Sequence, residues 1–306
     1  MNSFPLVSIV IATKDRRDEL LRVISSCLAQ SYKPIEVLVY DDASTDDTFT
    51  AVRQRYPEVL IRRNDTSIGC LPLRNRMYRE AKGKYLLTLD DDCYFTDPGT
   101  LVNAVDLLEK DAAAAAAAIP LIEPNRIKPD NWLWMKAERG TKLGAFMAGM
   151  NLMRRDAVLA VNGYRDFMVN YQEEKDLCLR LLNRGWSIVY GGGVPLVHLP
   201  SEVRNLQRVW LNNGQNTVLV PFLDAPWIYL LPNIAVSCIK MLMYRFSWKM
   251  LPFKLRGIGV GVARCVRHAH ERKPVSTAAY RLYRRLPKHA PEFSVYGRIP
   301  EPLKQA

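Results

Sequence analysis

The chain has 306 residues, 48% of them hydrophobic and 24% charged, an ordinary globular balance with ample material for a large buried core. Its six cysteines (Cys27, Cys70, Cys93, Cys178, Cys238 and Cys265) form no Cys-x-x-Cys pair, which excludes a zinc ribbon and gives no disulfide framework. The net charge is +12, and all of it lies in residues 201–306, where 17 Lys and Arg face 5 Asp and Glu; residues 1–200 hold 26 of each sign.

The start of the chain lacks the basic, apolar and small-residue pattern of a signal peptide. With the cysteine pattern, this sets the expectation of the reducing cytoplasm. Leu6–Ala12 is a short β-branched run closed by Thr13, Lys14 and Asp15. A helical pattern follows, with Leu20, Ile24, Cys27 and Leu28 on one face. Ile35–Tyr40 predicts a second strand, closed by Asp41 and Asp42, and Ser44-Thr45-Asp46 reads as a helix start. Val59–Arg62 is a third strand, 74–81 a helix, and Lys84–Leu89 a fourth strand closed by Asp90, Asp91 and Asp92. This alternation predicts an α/β fold with a mainly parallel sheet flanked by helices.

Residues 112–118 are seven consecutive alanines. They read either as an extension of a helix starting near Leu101 or as a bland strand leading into Pro120. Phe146–Met153 predicts another buried strand, Glu174–Asn183 a helix, and Ser187–Tyr190 and Val194–His198 short strands around three glycines. After Pro200 the pattern changes to long apolar stretches with tryptophans and basic residues. Ala225–Ile239 is charge-free but carries Pro226 and Pro232, and it is shorter than the ~20 residues of a spanning helix. Surface-lying helices, a re-entrant hairpin or a helical cap all fit it. The expected division is a catalytic domain over 1–200 and a basic, aromatic-rich helical region over 201–306.

Three polar clusters close predicted parallel strands: Thr13–Asp15, Asp41–Asp42 and Asp90–Asp92. That edge of an open α/β sheet is where ligands bind. Capping chemistry suffices for Ser44-Thr45-Asp46. It does not suffice for three adjacent carboxylates, whose repulsion calls for a cation. Hard oxygen ligands suit Mn²⁺ or Mg²⁺, and such an ion can bridge the phosphates of a nucleotide diphosphate. There is no Walker A loop and no Gly-x-Gly-x-x-Gly.

The stretches Val7–Thr13 and Val39–Thr48, then Asn64, Gly69, Arg74, Asn75, Ala81, Gly83, Tyr85 and Leu89–Asp92, resemble family 2 glycosyltransferases. So do Gly149, Arg154–Ala157, Asn162-Gly163-Tyr164 and Glu173–Leu181. The resemblance covers roughly residues 6–200 and implies the GT-A fold, an inverting reaction and a nucleotide-diphosphate sugar donor. It implies that Thr13, Asp15 and Asp42, with Asp41 beside them, contact the base and ribose. It makes Asp90 and Asp92 the Asp-x-Asp pair, with Asp92 the first choice as direct metal ligand. Asp91 would then lie near the donor sugar or ribose, and Arg74 would help hold the nucleotide or its phosphates. The family has Glu-Asp where this chain has Glu173-Glu174, so position makes Glu174 the general base, with Glu173 and Asp176 as reserves. Read without the family, the same acids are a first turn facing a helix dipole. His198 would be a further metal ligand, or else a turn or core histidine. Trp132 and Trp134 read as a sugar-stacking platform or as core or lid residues.

The expected function is sugar transfer to a glycan or lipid-linked acceptor, at the inner face of the cell membrane, in polysaccharide, cell-wall or glycolipid synthesis. The basic last third fits an anionic membrane surface. A nucleic-acid partner is not expected, because the region has no basic–aromatic reader motif. A sugar-nucleotide-forming nucleotidyltransferase is the alternative, and the absence of glycine from Thr13–Arg17 counts against it.

Overall fold

Short β-branched runs form the middle of a mixed sheet, because their residues are apolar on both faces and each face is covered. The computed structural model describes residues 4–123, 138–199 and 205–287. Strand β1 (Val7–Thr13) pairs in parallel with β2 (Ile35–Asp41) on one side and β4 (Tyr85–Asp90) on the other. Beyond β2 lies β3 (Leu60–Arg63), also parallel. Beyond β4 the sheet continues through β9 (Met150–Arg154), β6 (Ala114–Ala118), β10 (Ser187–Tyr190) and β8 (Lys142–Leu143), giving the order β3-β2-β1-β4-β9-β6-β10-β8. Only β9 and β8 run antiparallel to their neighbours. A second sheet, β5-β11-β7, joins β5 (Cys93–Tyr94), β11 (Leu196–His198) and β7 (Leu121–Ile122).

Helices α1 (Arg17–Leu28), α2 (Thr48–Arg55), α3 (Cys70–Glu80) and α4 (Thr100–Lys110) connect the first strands. Helices α5 (Arg155–Ala160) and α6 (Glu173–Asn183) follow β9. Alternation along β1 divides the core: Val7, Ile9 and Ile11 join one cluster and Val10 the other.

The alanine run is a strand. Every residue of β6 is buried between β9 and β10, and its small side chains serve both core clusters. Tertiary pairing overrides the helix preference of alanine. Arg154 fixes the strand: its Nε donates to Ala114 O at 2.8 Å, and its guanidinium also donates to the carbonyls of Leu108 and Asp111. The strand expected over Phe146–Met153 begins only at Met150, because Gly149 takes φ +86°. The helix expected at Ser44–Asp46 starts at Thr48, whose N–H donates to Asp46 Oδ1 at 3.0 Å.

The last third is helical: α7 (Leu206–Asp224), α8 (Trp227–Met243), α9 (Leu251–Arg267) and α10 (Thr277–Arg285). Helices α7 and α9 cross in backbone contact. A Cβ on Gly214 would meet Gly257 Cα at 2.8 Å, and one on Gly261 would meet Gln215 O at 2.6 Å. Val218, Leu219, Val220, Leu223 and Cys265 enter the same core cluster as the sheet, so these helices cap it. Lys254, fully buried, ends α8 by donating to Leu242 O at 3.2 Å and Tyr244 O at 2.7 Å, with its ammonium 4.2 Å from the Trp210 ring centre. Among the described residues, no helix is long and apolar enough to cross a membrane.

Candidate active site

The carboxyl ends of β1 and β4 bring Thr13 and the three aspartates together. Thr13 Oγ1 donates to Asp91 Oδ2 at 2.9 Å. Arg16, just before α1, reaches Asp92 Oδ2 at 2.7 Å and Asp91 Oδ1 at 3.4 Å. Arg74 of α3 is buried and pairs with Asp90. Burial pushes the Asp91 carboxyl up to about 7, against the pull of Arg16. Burial also raises Asp90, despite Arg74. Asp92 goes the other way: burial opposes its charge, but hydrogen bonds from His198 and Arg16 hold it below the ordinary carboxylate range. Arg74 therefore leans on Asp90, and Arg16 on Asp91 and Asp92.

Gly149 makes room for Asp90. A Cβ there would lie 2.2 Å from Asp90 Oδ2, and the Asp90 N–H donates to Gly149 O at 3.2 Å. No side chain other than hydrogen fits both the contact and the positive φ.

The β5-β11-β7 sheet carries His198 to Asp92. Its Nε2 lies 3.3 Å from Asp92 Oδ1, and its Nδ1 lies 2.8 Å from Glu123 Oε1. Burial works against the imidazolium, yet Asp92 and Glu123 outweigh it and raise the group to about 9. Ligand atoms of Asp92, Cys93 and His198 lie within 4.8 Å of one another. A carboxylate and an imidazole, the latter steadied by a second carboxylate, fit a divalent ion. The Cys93 thiol is buried and pushed well above its ordinary range by burial, which suits a soft ligand poorly.

The start of α6 supplies the second acidic group. Glu173 is buried, and its Oε2 has no hydrogen-bond partner among the described residues. Burial and the neighbouring Glu174 push its carboxyl up to about 8. Glu174 is half-buried and is likewise raised by burial, against the pull of Lys175 and Arg74. The Arg74 charge lowers Asp90, Glu173 and Glu174 alike, so the aspartate cluster and the glutamate pair lie within reach of the same guanidinium.

Four expected site residues have carboxylate oxygens engaged within the fold. Asp176 is fully buried; one oxygen accepts from Arg165 Nε at 2.7 Å and the other from Arg180 Nε at 3.0 Å, so it has no capacity to act as a reserve base. Asp41 is also fully buried, with Oδ1 accepting from Ser44 N at 2.7 Å. Asp42 accepts from Asn64, Ser67 Oγ (2.7 Å), Ile68 N (2.8 Å) and Gly69 N (2.9 Å). These bonds also make Asp42 the residue that orders the loop before α3. Asp15, at φ 51°, accepts from Thr45 N at 2.5 Å and stays at the surface. Trp132 and Trp134 lie outside the described residues. Arg16 and Glu123 were not among the expected site residues: a lone arginine or glutamate outside a motif carries no signal until the fold brings it to the cluster.

A mostly parallel sheet flanked by helices, with carboxylates at its carboxyl edge, is the fold of a GT-A-type glycosyltransferase. The chain matches the family model "Glycosyl transferase family 2" over residues 8–161, about half its length, and it belongs to that family. It is 26% identical over 183 residues to WfaP of Escherichia coli, a UDP-Glc:alpha-D-GlcNAc-diphosphoundecaprenol beta-1,3-glucosyltransferase, covering 59% of this chain and 71% of that one. It is 30% identical over 196 residues to EpsE of Bacillus subtilis, covering 61% and 70%. Among solved structures, S. aureus TarS 1-349 in complex with UDP-GlcNAc aligns with TM-score 0.66 at 14% identity, over 84% of this chain and 80% of that one. The mannosyltransferase PcManGT from Pyrobaculum calidifontis, in complex with GDP-Man and Mn²⁺, aligns with TM-score 0.59 at 17% identity, over 93% and 83%. At these identities the structural likeness is one of fold.

Proposed function

We propose that this chain moves a sugar from a nucleotide-diphosphate donor to a hydroxyl of a glycan or lipid-linked acceptor, with inversion, in polysaccharide, cell-wall or glycolipid synthesis. The observation that carries the reading is the buried Arg74, which pairs with Asp90 and whose charge also acts on Glu173 and Glu174. Glu174 takes the proton of the acceptor hydroxyl as that oxygen attacks the anomeric carbon. Its raised affinity for a proton suits a base, and Glu173, more deeply buried, is the weaker candidate. One base opposite the leaving group gives a single displacement, hence inversion. Asp92 and His198, with Asp90 behind them, would hold Mn²⁺ or Mg²⁺, which supplies positive charge against the leaving nucleotide diphosphate. Arg16, already on Asp92 and Asp91, and Arg74 add fixed positive charge on the same side. Thr13 orients Asp91 at the donor edge. Support for the donor class comes from the fold relatives, whose structures hold UDP-GlcNAc and GDP-Man. Support for a lipid-linked acceptor comes from the diphosphoundecaprenol substrate in the name of WfaP.

We place residues 1–200 as the catalytic part and 201–306 as the part that caps it and meets an anionic membrane at its cytoplasmic face. The six free cysteines fit that compartment. The test uses a panel of nucleotide sugars with Mn²⁺ or Mg²⁺. Glu174→Gln should bind the donor as the wild type does but turn over on the order of 100-fold or more slower. Asp92→Ala should lose metal-dependent turnover with the fold intact. Unchanged turnover in Glu174→Gln moves the base to Glu173, and full wild-type activity in chelator refutes the metal assignment.

A further inference from the structure

Helix α8 exposes an apolar stripe along its whole length. Trp227 (72% exposed), Leu231 (75%), Ala235, Ile239 (61%) and Met243 (66%) follow one another at intervals of four, so they lie on one face. Ile228, Pro232, Val236 and Tyr244 flank them, and they too are exposed. The loop to α9 continues the surface with Phe246 and Trp248 (77% exposed), which stack edge to face at 5.0 Å. Such a continuous apolar face marks an interaction surface.

Charge identifies the occupant. Between Asp224 and Glu271 the sequence has no carboxylate, while Lys240, Arg245, Lys249, Lys254, Arg256, Arg264 and Arg267 are basic. Lys254 is spent inside on the end of α8, but Lys240, Arg245 and Lys249, on α8 and the loop after it, are exposed, as are Arg256 and Arg267 of α9. Two copies meeting here would bring basic rims together with no acid to offset them. An anionic lipid surface offers the matching charge, and tryptophan and tyrosine at the two ends suit the headgroup level. The helix, 17 residues and so about 25 Å long, cannot span a bilayer, but it can lie in its surface. It is held from behind: Arg272 stacks 4.2 Å from the Trp227 ring and donates to Ala225 O at 2.9 Å, and α9 is locked to α7.

We propose that the α8 face, from Trp227 to Met243 with Phe246 and Trp248, is a bilayer-docking surface that lies flat in the interface of an anionic membrane, with Arg245, Lys249 and Arg256 on the headgroups. The proposal deepens the membrane part of the reading above and does not depend on the transfer chemistry. The probe is sedimentation of the full chain with vesicles of mixed phosphatidylcholine and phosphatidylglycerol, and with vesicles of phosphatidylcholine alone. The wild type should sediment with the mixed vesicles and should bind the neutral ones more weakly. The triple variant Leu231→Glu, Ile239→Glu and Met243→Glu touches only exposed positions, so it should melt and bind donor like the wild type. It should lose vesicle partitioning on the order of 100-fold. Arg245→Glu with Lys249→Glu should remove the preference for phosphatidylglycerol while leaving part of the binding to neutral vesicles. Glu174→Gln should sediment like the wild type, which separates docking from catalysis. Undiminished binding by the triple variant overturns the proposal. So does a lipid-free wild-type dimer that the triple variant breaks, since the face would then belong to a second copy.

Discussion

Gly149→Ala is the sharpest probe of how the fold shapes the site. The new methyl would sit 2.2–2.5 Å from both Asp90 carboxylate oxygens, at a backbone φ of +86°. The backbone alone costs about 1–2 kcal/mol for a residue with a Cβ. Asp90 must also swing away from Arg74, whose guanidinium is buried and has Asp90 as its ion-pair partner. Breaking a buried pair costs roughly 3–5 kcal/mol, but the Asp90 side chain is 33% exposed, so about 1–2 kcal/mol is the better figure. The total of about 2–4 kcal/mol leaves most of the stability of a domain this size and lowers its melting temperature by roughly 4–12 °C. Thermal melts read that shift, and donor titration should show weakened binding because Arg74 has lost its anchor. In an Asp90→Ala background the clash is gone, so the added cost of Gly149→Ala should shrink to the backbone share of about 1–2 kcal/mol. Wild-type melting and turnover in Gly149→Ala refutes the contact. An undiminished cost in the Asp90→Ala background refutes its assignment to Asp90.

Three further outcomes follow from the buried acids. Glu173 binds its proton more tightly folded, at about 8, than at its ordinary 4.5, so the folded state holds the extra proton between those values. Stability should therefore be fully present below about 4.5 and fall as pH rises towards about 8; Glu173→Gln should flatten that slope in pH-dependent melts, and an unchanged slope would rule Glu173 out as its source. Because burial raises Glu174, the acid limb of the turnover profile should lie above the range of an exposed glutamate and vanish in Glu174→Gln; a limb that persists belongs to another group. Asp176→Asn leaves Arg165 and Arg180 short of a buried counter-charge and should cost about 3–5 kcal/mol in denaturant unfolding, whereas a near-neutral result would mean that Asp224 and Glu271 suffice for Arg165.

The parallel strands were legible because hydrophobic runs closed by aspartate leave few other readings, and β1, β2 and β4 fall within a residue of expectation. The alanine strand was not: a residue with no shape of its own gives no period, and only β9 and β10 beside it decide the matter. In the site, the three adjacent aspartates stood out as unneutralised charge, whereas the glutamate pair stood out only through the family resemblance. What stayed hidden was which acids the fold itself consumes. Asp42 and Asp176 look like free acids in the sequence, but backbone amides before α3 and two nearby arginines occupy their oxygens, and Asp41 accepts from Ser44 N. Arg16 and Glu123 were silent for the converse reason: Asp92 lies 76 residues along the chain from Arg16, and His198 reaches Glu123 only because β11 pairs with β7.

The alanine strand has one more implication, for alignment during folding. A strand usually encodes its own register, because a slip of one residue sends large side chains to the wrong face. Residues 112–118 are identical to themselves when shifted, so a slip changes nothing that their own side chains could report. The reference marks must come from outside the tract. Arg154 holds Ala114 O at one end, and Gly191 N–H holds Ala118 O at 2.8 Å at the other, with a one-residue irregularity against β10 between them. This inner strand of the sheet is thus a blank ruler, and the two clamps at its ends are what give it a scale.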